Sequence, residues 1–380
     1  MNNTKTTVYF HIGANKTGTT YLQRLFARNR ESLEEHRILY PNFDVEVPVN
    51  KNRNGYVFEV SLNPNGDNTV EEQCIEKLIA WGTSGKYDKI ILSDEDMYFR
   101  RSFREGFFPD FQKRLAKAGM DLKLVMYIRR QDEYMLSLWR HKIKRYYVEK
   151  SVERFLELTT KKYQANYFQF LELFAEEIGR ENILVRVYDR AAFKKFTNRM
   201  AGDFLDTIGA DPEISLEEPE ALGIANESIV GVCLEAKRRM NATGFVEKRQ
   251  FFQERGLLEV QRVLKEEGLY PKSEDYSRSH RIAYMEQFAE DNAKLARLYL
   301  HREDGKLFEE VSSDMLDEET EFTDAQIFDV LVKLLVYNHD AVQTLKDENK
   351  ELKAKIKELQ KKDYLRRAYH FARRKIVRDN

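Results

Sequence analysis

The alternation of apolar and polar positions divides the first half of the chain into strand-like and helix-like segments. Four short runs of β-branched and other apolar residues predict buried parallel strands, at Thr7–Ile12, Lys89–Ser93, Leu122–Ile128 and Asn182–Tyr188. Between them, apolar residues recur every three or four positions and predict helices, near Thr19–Asn29, Val70–Gly82, Phe108–Ala118, Gln131–Tyr146 and Tyr163–Gly179. Strands that alternate with helices indicate an α/β fold with a doubly wound parallel sheet, which binds ligands at the carboxyl ends of its strands.

Two stretches depart from this alternation. The stretch Asn42–Asn68 is rich in Asn, Pro and Gly. This composition predicts a long loop over the ligand-binding edge, with disorder as the alternative. From about residue 190 onwards the pattern is mostly helical, and no strand is predicted there. The fold is therefore expected to have a helical C-terminal half.

A glycine-bounded loop joins the first predicted strand to the first predicted helix. Its sequence, Gly13-Ala14-Asn15-Lys16-Thr17-Gly18-Thr19-Thr20, has nearly the spacing of a P-loop, in which amides and a helix N-terminus bind phosphate oxygens. Thr19 stands where a P-loop has its lysine, and the lysine lies inside the loop as Lys16. A nucleoside triphosphatase would lose its phosphate-binding lysine, whereas a shorter anionic group can be bound by Lys16 and the threonine hydroxyls. The loop therefore predicts a phosphate-like donor other than ATP.

A second polar motif follows the strand Leu122–Ile128. Arg129 lies at the carboxyl end of that strand, and Ser137 lies eight residues later, about two turns into the next helix. The two side chains have the placement needed to hold one phosphate group. The alternative is that Arg129 and Arg130 form ion pairs with the acidic residues at the start of the helix. Taken alone, the motif favours the ion pairs, and the glycine-bounded loop shifts the interpretation towards phosphate binding.

Together, the two motifs resemble those of the sulfotransferases that use 3′-phosphoadenosine-5′-phosphosulfate (PAPS). The chain is most similar to the bacterial, polysaccharide- or carbohydrate-type branch, which opens with His-Ile-Gly-x-x-Lys-Thr-Gly-Thr-Thr and later carries Arg-Arg-Gln-Asp-Glu-Tyr. Here these motifs are residues 11–20 and 129–134, and looser similarities extend over roughly residues 7–312. The resemblance implies that Arg129 and Ser137 hold the 3′-phosphate of PAPS. It also implies a set of loop residues that hold the 5′-phosphosulfate: Gly13, Lys16, Thr17, Gly18, Thr19 and Thr20.

The resemblance implies the reaction as well. The sulfuryl group of PAPS would pass in line to a hydroxyl or amine of a carbohydrate or glycolipid, without a metal ion, and Lys16 would stabilise the charge on the leaving phosphate. The acceptor also needs a general base. Glu95 is the first choice, because it follows the strand Lys89–Ser93 in a Ser-x-Glu arrangement that resembles that of relatives. His11 is the competitor, although packing or orienting the loop is its favoured role.

Composition and charge narrow the function further. The 380 residues are 42% apolar and 12% aromatic, which is typical of a globular protein with a large core. Lys and Arg number 63 against 64 Asp and Glu, so net charge gives no global attraction to nucleic acid. Cys74 and Cys233 match no zinc-ligand spacing and are predicted to be buried small hydrophobic residues in a reducing compartment. No run of about 18 apolar residues occurs, and a cytoplasmic location is predicted.

The C-terminal stretch carries a heptad pattern. Apolar residues, mostly leucine, occupy most a and d positions from 331 to 359, and Asn349 occupies one a position. This pattern favours a parallel two-stranded coiled coil and hence a homodimer; a long amphipathic helix packed on its own domain is the alternative. Beyond it, Lys361–Asn380 has eight Lys or Arg against two Asp, with apolar residues on one helical face. Such a tail suits an anionic membrane surface, and a solvated tail or an acidic protein partner is an equal alternative.

The sequence therefore predicts three segments and two competing classes of function. Residues 1–315 are predicted to form the catalytic domain, 316–340 a helical connection, and 341–380 the coiled coil with its basic tail. The first class is a cytoplasmic PAPS-dependent sulfotransferase, peripheral at the inner membrane if its tail binds lipid. The second class is a P-loop-like nucleotide-binding kinase or a non-catalytic assembly module. The absence of a convincing Walker B aspartate after an apolar strand weighs against the kinase.

Overall fold

A parallel sheet forms the centre of the fold. The computed structural model describes residues 5–45, 52–59, 67–99, 104–219, 228–243, 250–269 and 274–378. The described residues form five strands in the order β2-β3-β1-β4-β5, with the bounds β1 (Thr7–His11), β2 (Ile38–Leu39), β3 (Lys89–Ser93), β4 (Asp121–Ile128) and β5 (Ile183–Val187). All neighbouring strands are parallel, so their carboxyl ends lie at one edge. The predicted α/β class and the four predicted strands are confirmed.

Thirteen helices accompany the sheet in the described part of the chain. They are α1 (Thr19–Arg28), α2 (Arg30–Glu35), α3 (Thr69–Thr83), α4 (Phe107–Lys117), α5 (Gln131–Tyr146), α6 (Val152–Thr159), α7 (Tyr167–Ile178), α8 (Met200–Thr207), α9 (Gly231–Ala242), α10 (Gln250–Glu266), α11 (Arg278–Glu286), α12 (Ala289–Leu300) and α13 (Asp324–Arg378). The five predicted helices are all present with small shifts of their ends. After Val187 the described residues contain helices but no strand, so the helical C-terminal half is also confirmed.

Helices cover both faces of the sheet because successive strand residues point to opposite sides. On one face, His11 of β1 and Tyr127 of β4 pack against the ring of Phe204 in α8. On the other face, Phe10 of β1 packs against Phe108 of α4. All five side chains are buried. This arrangement is the doubly wound one, in which ligands bind beyond the carboxyl ends of the strands.

Three local features differ from the sequence-based expectation. The two-residue strand β2 is too short to give a recognisable apolar run. Helix α6 was not predicted; it begins after Ser151, whose hydroxyl accepts a hydrogen bond from the amide of Arg154. The helix predicted from Tyr163 begins at Tyr167 instead, because Asn166 caps it by accepting a hydrogen bond from the amide of Gln169.

The stretch Asn42–Asn68 lies only partly within the described residues, because residues 46–51 and 60–66 fall outside them. Its described part contains one turn of 3₁₀-helix at Asn54–Phe58, and all five of these residues are buried. Phe58 packs against Phe10 of β1. This turn is therefore a packed part of the core, which the Asn-rich composition did not predict.

The chain forms two compact units. The unit that contains the sheet comprises Met1–His141, Lys150–Gly223 and Glu274–Glu319. The other contains α9, α10 and α13 and comprises Lys142–Glu149, Ile224–Ser273 and Thr320–Asn380. The three segments predicted from the sequence stay a prediction. Both cysteines are buried free thiols, and no helix in the described ranges is both long and apolar enough to cross a bilayer.

Candidate functional site

The loop after β1 has the backbone of an anion-binding turn. Gly13, Lys16 and Gly18 have positive φ values of 111°, 65° and 84°. Residues with a side chain rarely adopt positive φ. Gly18 is the N-cap of α1, and no side chain caps this helix. The first amides of a helix have no partner within the helix and carry partial positive charge, so they bind anions well. This backbone supplies amides of the kind that a phosphate loop uses, and phosphate binding by the loop stays a prediction.

The side chains of the loop divide into buried and partly exposed ones. Thr17 and Thr19 are buried, whereas Lys16 and Thr20 are partly exposed. The hydroxyl of Thr17 donates to the carbonyl oxygen of Ala14, which fixes the turn from inside. Lys16 and Thr20 are thus better placed than the two buried threonines to reach a ligand with their side chains. Thr17 and Thr19 would contribute through their amides.

Positive φ values favour glycine at positions 13 and 18, and both glycines lie close to other elements. A Cβ on Gly18 would lie only 2.7 Å from Sδ of Met200 and 3.4 Å from a ring carbon of Tyr188. A Cβ on Gly13 would lie 3.4 Å from the carbonyl oxygen of Glu95. The structure therefore brings the loop together with Glu95 on one side and with Tyr188 on the other.

Glu95 lies just beyond the carboxyl end of β3, next to the loop. Its Oε2 accepts a hydrogen bond from Nε2 of Gln23 at 2.5 Å and lies 3.8 Å from Nε of Arg53. Gln23 is fully buried in α1, whereas the Glu95 side chain retains 17% of its exposure. Both neighbours orient the carboxylate through the same oxygen. Oε1 is therefore the oxygen with which Glu95 would accept a proton from the hydroxyl or amine of a substrate.

An ion-pair network centred on Arg53 adjoins Glu95. Nη2 of Arg53 lies 2.7 Å from Glu59, 2.5 Å from Asp94 and 2.9 Å from Asp96. Burial raises the pKa of Asp94 well above its usual range; Arg53 opposes this shift, and the carboxylates of Glu59 and Glu95 add to it. The oxygens of Glu59, Asp94 and Asp96 are close enough to share a metal ion, but one guanidinium nitrogen already contacts all three. The cluster holds the segment around Arg53 to the end of β3.

His11 lies at the end of β1 and is almost completely buried. Its Nδ1 lies 2.9 Å from Oγ of Ser93, and its ring packs against Tyr127 and Phe204. Burial lowers the pKa of His11 to about 4, and a hydrogen bond with the backbone of Gly13 opposes the shift. The imidazole is therefore neutral near pH 7. Its surroundings suit a packing and orienting role better than contact with a substrate.

Arg129 and Ser137 lie where the sequence placed them, at the end of β4 and two turns into α5. Nε of Arg129 donates to Glu133 at 2.9 Å, and Nε of Arg130 donates to Asp132 at 2.7 Å. The ion pairs that the sequence left as the alternative are thus present. Ser137 is partly exposed. A phosphate that binds Arg129 would have to compete with the carboxylate of Glu133 for the guanidinium.

A cleft with many basic side chains opens at the carboxyl ends of β4 and β5. Its volume is about 620 Å³. Its basic lining residues are Arg129, Arg130, Arg186, Arg190, Lys195 and Arg302. Tyr188 also lines the cleft, and the guanidinium carbon of Arg129 lies 5.8 Å from the centre of its ring. Because the same ring lies next to Gly18, Tyr188 connects the loop to the cleft.

Three more of the basic residues in the cleft have hydrogen-bond partners besides Arg129 and Arg130. Nη1 of Arg302 donates to the carbonyl oxygens of Lys306 and Leu307 at 3.0 and 2.9 Å. Both guanidinium branches of Arg186 reach Asp203, with Nε at 3.1 Å from Oδ2, and the hydroxyl of Tyr127 donates to the same oxygen at 2.7 Å. Nε of Arg190 donates to the hydroxyl of Tyr188 at 3.1 Å. Arg186 is thus fixed within the wall of the cleft, whereas Arg190 holds the ring that connects the loop to the cleft.

Sequence reasoning missed three residues of this site. Gln23 was detectable in principle, because a polar residue on the apolar face of a predicted helix needs a polar partner when it is buried. Tyr188 ends the last predicted strand, so its position at the ligand edge was predictable but its contact with the loop was not. The role of Arg53 could not be predicted, because the residue lies in the Asn-rich stretch and its partners Asp94 and Asp96 are far away in the sequence.

Comparisons with known proteins give limited similarity. No family model matches the chain. A protein of Archaeoglobus fulgidus, described as an uncharacterized protein, is 29% identical over 182 residues, which are 47% of this chain and 45% of that protein. The matched part thus spans less than half the length of this relative.

Solved structures similar to the chain include a sulfotransferase from Alicyclobacillus acidocaldarius, with 16% identity, a TM-score of 0.35 and coverage of 66% of this chain and 95% of that one. They also include the sulfotransferase domain of the Synechococcus PCC 7002 olefin synthase, with 10% identity, a TM-score of 0.33 and coverage of 67% and 94%. A sulfotransferase domain from the curacin biosynthetic pathway has 9% identity, a TM-score of 0.32 and coverage of 67% and 96%.

Proposed function

We propose that the chain is a sulfotransferase that moves the sulfuryl group of PAPS to a hydroxyl or amine of a carbohydrate or glycolipid. The observation that carries this proposal is one continuous site. The loop Gly13–Thr20, with Lys16 and the uncapped start of α1, adjoins through Tyr188 a cleft that Arg129 lines. Six basic and four acidic residues line this cleft, so basic side chains are in excess. A 5′-phosphosulfate and a distant 3′-phosphate need anion-binding elements in this order.

The proposed donor fits the site in two parts. The 5′-phosphosulfate would bind the amides of the loop and the side chain of Lys16. The nucleoside would extend past Tyr188 into the cleft, whose volume of about 620 Å³ is in the range of small-molecule sites. The 3′-phosphate would replace Glu133 as the ion-pair partner of Arg129, and the hydroxyl of Ser137 would donate a further hydrogen bond to it. Charge-assisted bonds of this kind are stronger than neutral ones, so the exchange of partners is favourable when a dianionic phosphate arrives.

The proposed reaction is an in-line displacement at sulfur. The acceptor oxygen forms a bond to sulfur while the bond from sulfur to the bridging phosphate oxygen breaks, and adenosine 3′,5′-bisphosphate leaves. Negative charge grows on the leaving phosphate, where Lys16 and the α1 amides would stabilise it. The acceptor proton would pass to Glu95. As in phosphoryl transfer, positioning and electrostatics would supply most of the rate.

The geometry favours Glu95 over His11 as the base. Glu95 lies against Gly13, is partly exposed and has one oxygen fixed by Gln23. The ring of His11 is enclosed by Tyr127 and Phe204 and bonded to Ser93. A base must lie within hydrogen-bond reach of the attacking atom, and an enclosed ring has no room for an acceptor beside it.

Calorimetry with three nucleotides tests the donor. We expect adenosine 3′,5′-bisphosphate to bind much more tightly than AMP, because only the former carries the 3′-phosphate that Arg129 would hold. Arg129→Ala should weaken bisphosphate binding about ten- to a hundredfold and leave AMP binding nearly unchanged. Arg154→Ala, at an exposed arginine of α6, is the matched control and should bind like the unaltered protein.

Each other outcome of this experiment points elsewhere. Equal affinity for AMP and the bisphosphate would contradict the assignment of the donor. Tight binding of ATP would favour the kinase-like alternative, and binding of no nucleotide would favour an assembly module. The acceptor class rests on the sequence resemblance, so transfer from radiolabelled PAPS should be measured on carbohydrate, glycolipid and simple amine acceptors side by side.

A further inference from the structure

Helix α13 has one face packed within its own unit and one face exposed. Ile327, Val330 and Leu334 are at most 4% exposed, and Leu334 lies against Gly256 of α10. On the other side of the helix, Phe328 is 66% and Leu335 69% exposed. A helix normally buries its apolar residues, so the exposed apolar face needs an explanation.

The exposed face continues along the helix with a spacing of seven residues. Positions 328, 335, 342, 349 and 356 are all exposed, and four of them are apolar. From Val342 to Glu358 every described side chain is exposed, although Val342, Leu352 and Ile356 are large and apolar. We define the seam as the a positions Val342, Asn349 and Ile356 and the d position Leu352. In this part of α13 the apolar side chains of the seam are not buried by any described residue of the same unit.

We infer that a second copy of this chain covers the seam, in a parallel two-stranded coiled coil. Apolar residues repeated every seven positions are complementary to themselves, so the seam needs no second kind of surface. Asn349 at an a position would lie opposite its own copy and fix the register and the number of strands. The heptad repeat therefore indicates that the partner is a second copy of the chain.

Charges beside the seam favour the parallel direction. Glu348 occupies a g position and Lys353 the following e position, and both are exposed. In a parallel pair, g of one chain faces the next e of its partner, so Glu348 would attract the partner's lysine on both sides of the seam. In an antiparallel pair e positions face each other, and Lys346 would then repel Lys353.

Sedimentation of the full-length protein tests the seam. We expect a dimer that dissociates on dilution. Ile356→Lys should place two unpaired charges in the seam and raise the dissociation constant on the order of a hundredfold. Ala354→Lys introduces the same charge at an exposed position off the seam and should leave the dimer intact. A monomeric parent protein, or a dimer that persists in Ile356→Lys, would overturn the inference.

Two further variants test the direction. Glu348→Lys should weaken the dimer about fivefold, and the double variant Glu348→Lys, Lys353→Glu should restore it. Val342→Cys should form an intermolecular disulfide under oxidation, because a and a′ positions are within disulfide reach only in a parallel register. The two native cysteines are buried. Ala354→Cys, at an exposed position off the seam, is the control and should not cross-link. A dimer that does not cross-link through Val342→Cys, or that cross-links only through Ala354→Cys, would overturn the parallel arrangement.

Discussion

Lys16 has a φ of 65°, an uncommon conformation for a residue other than glycine. Such strain is often kept where it serves binding or catalysis. If Lys16 acts mainly on charge that forms in the transition state, Lys16→Ala should lower kcat on the order of 10²–10³ and change donor affinity much less. Lys16→Gly is the control, because glycine accepts this φ without strain. Recovery of activity in the glycine variant would mean that the backbone, and not the ammonium group, carries the effect.

Glu95 should be needed for turnover but not for donor binding. Glu95→Gln keeps the size of the side chain and removes its basicity, so we expect loss of most activity and an unchanged affinity for adenosine 3′,5′-bisphosphate. Gln23→Leu should leave the base present but poorly oriented, with a smaller fall in kcat. An active Glu95→Gln variant together with an inactive His11→Ala variant would show that the base is wrongly assigned.

His11 makes the stability of the protein depend on pH. Its pKa is about 4 in the folded chain and about 6.5 in an unfolded one, so the unfolded chain binds a proton that the folded chain rejects. Keeping His11 neutral therefore adds about 3 kcal/mol to the free energy of unfolding. This stabilisation is fully present above about pH 6.5 and is lost as the pH falls towards about 4. His11→Asn cannot take up the proton.

Thermal unfolding across this pH range measures the effect. The melting temperature of the parent protein should fall more steeply between neutral and acidic pH than that of His11→Asn. Parallel curves would show that His11 does not change its protonation on unfolding in this range.

At the scale of elements, the Arg53 network helps to join the segment Asn54–Phe58 to the end of β3, together with two hydrogen bonds between Asn54 and the β3 backbone. The side chains of Arg53, Glu59 and Asp94 are 13%, 7% and 0% exposed. Removing one partner of a buried ion pair leaves charges uncompensated, so Arg53→Met should cost about 3–5 kcal/mol. Arg154→Met breaks an exposed pair with Glu157 and should cost less than about 0.5 kcal/mol. Equal melting temperatures of the two variants would contradict this role.

The elements that the sequence predicts best are those with a local pattern. β1, β3, β4 and β5 are continuous apolar runs, and a buried parallel strand is specified by such a run alone. β2 has only two residues, so its pattern is too short. The burial of Phe58 depends on Phe10, about fifty residues earlier, and no local pattern encodes that contact.

In the candidate site, too, local motifs are predictable from the sequence, whereas contacts between residues far apart in the sequence are not. The positions of the loop and of Arg129 can be predicted from sequence motifs, because a phosphate-binding turn needs glycine and a basic residue at fixed spacing. The contact of Tyr188 with Gly18 and that of Gln23 with Glu95 depend on how the strands are ordered in the sheet. The Arg129–Glu133 pair was expected as an alternative, because the two residues are one helical turn apart.

At the scale of the whole molecule, the seam would determine where the basic tails lie. α13 continues as a helix to Arg378, and Asp379 and Asn380 lie outside the described residues. In a parallel pair both Lys361–Asn380 segments would lie at the same end. Once one segment has met an anionic lipid surface, the effective concentration of the second is high, so weak individual attraction becomes useful avidity. We propose that the protein is held near a lipid-linked acceptor in this way.

Two truncations separate pairing from membrane binding. Deleting Val342–Asn380 removes the seam and the tail but keeps the packed part of α13, so we expect a folded monomer that is active on small acceptors and does not sediment with anionic vesicles. Deleting Lys361–Asn380 should leave the dimer and abolish vesicle binding, because the seam ends before the tail. Neutral vesicles and high salt are the controls, since electrostatic attraction needs anionic lipid and is screened by salt. Full-length protein that ignores anionic vesicles at low salt would exclude the membrane role, and a dimer that survives the longer deletion would place the pairing surface elsewhere in the chain.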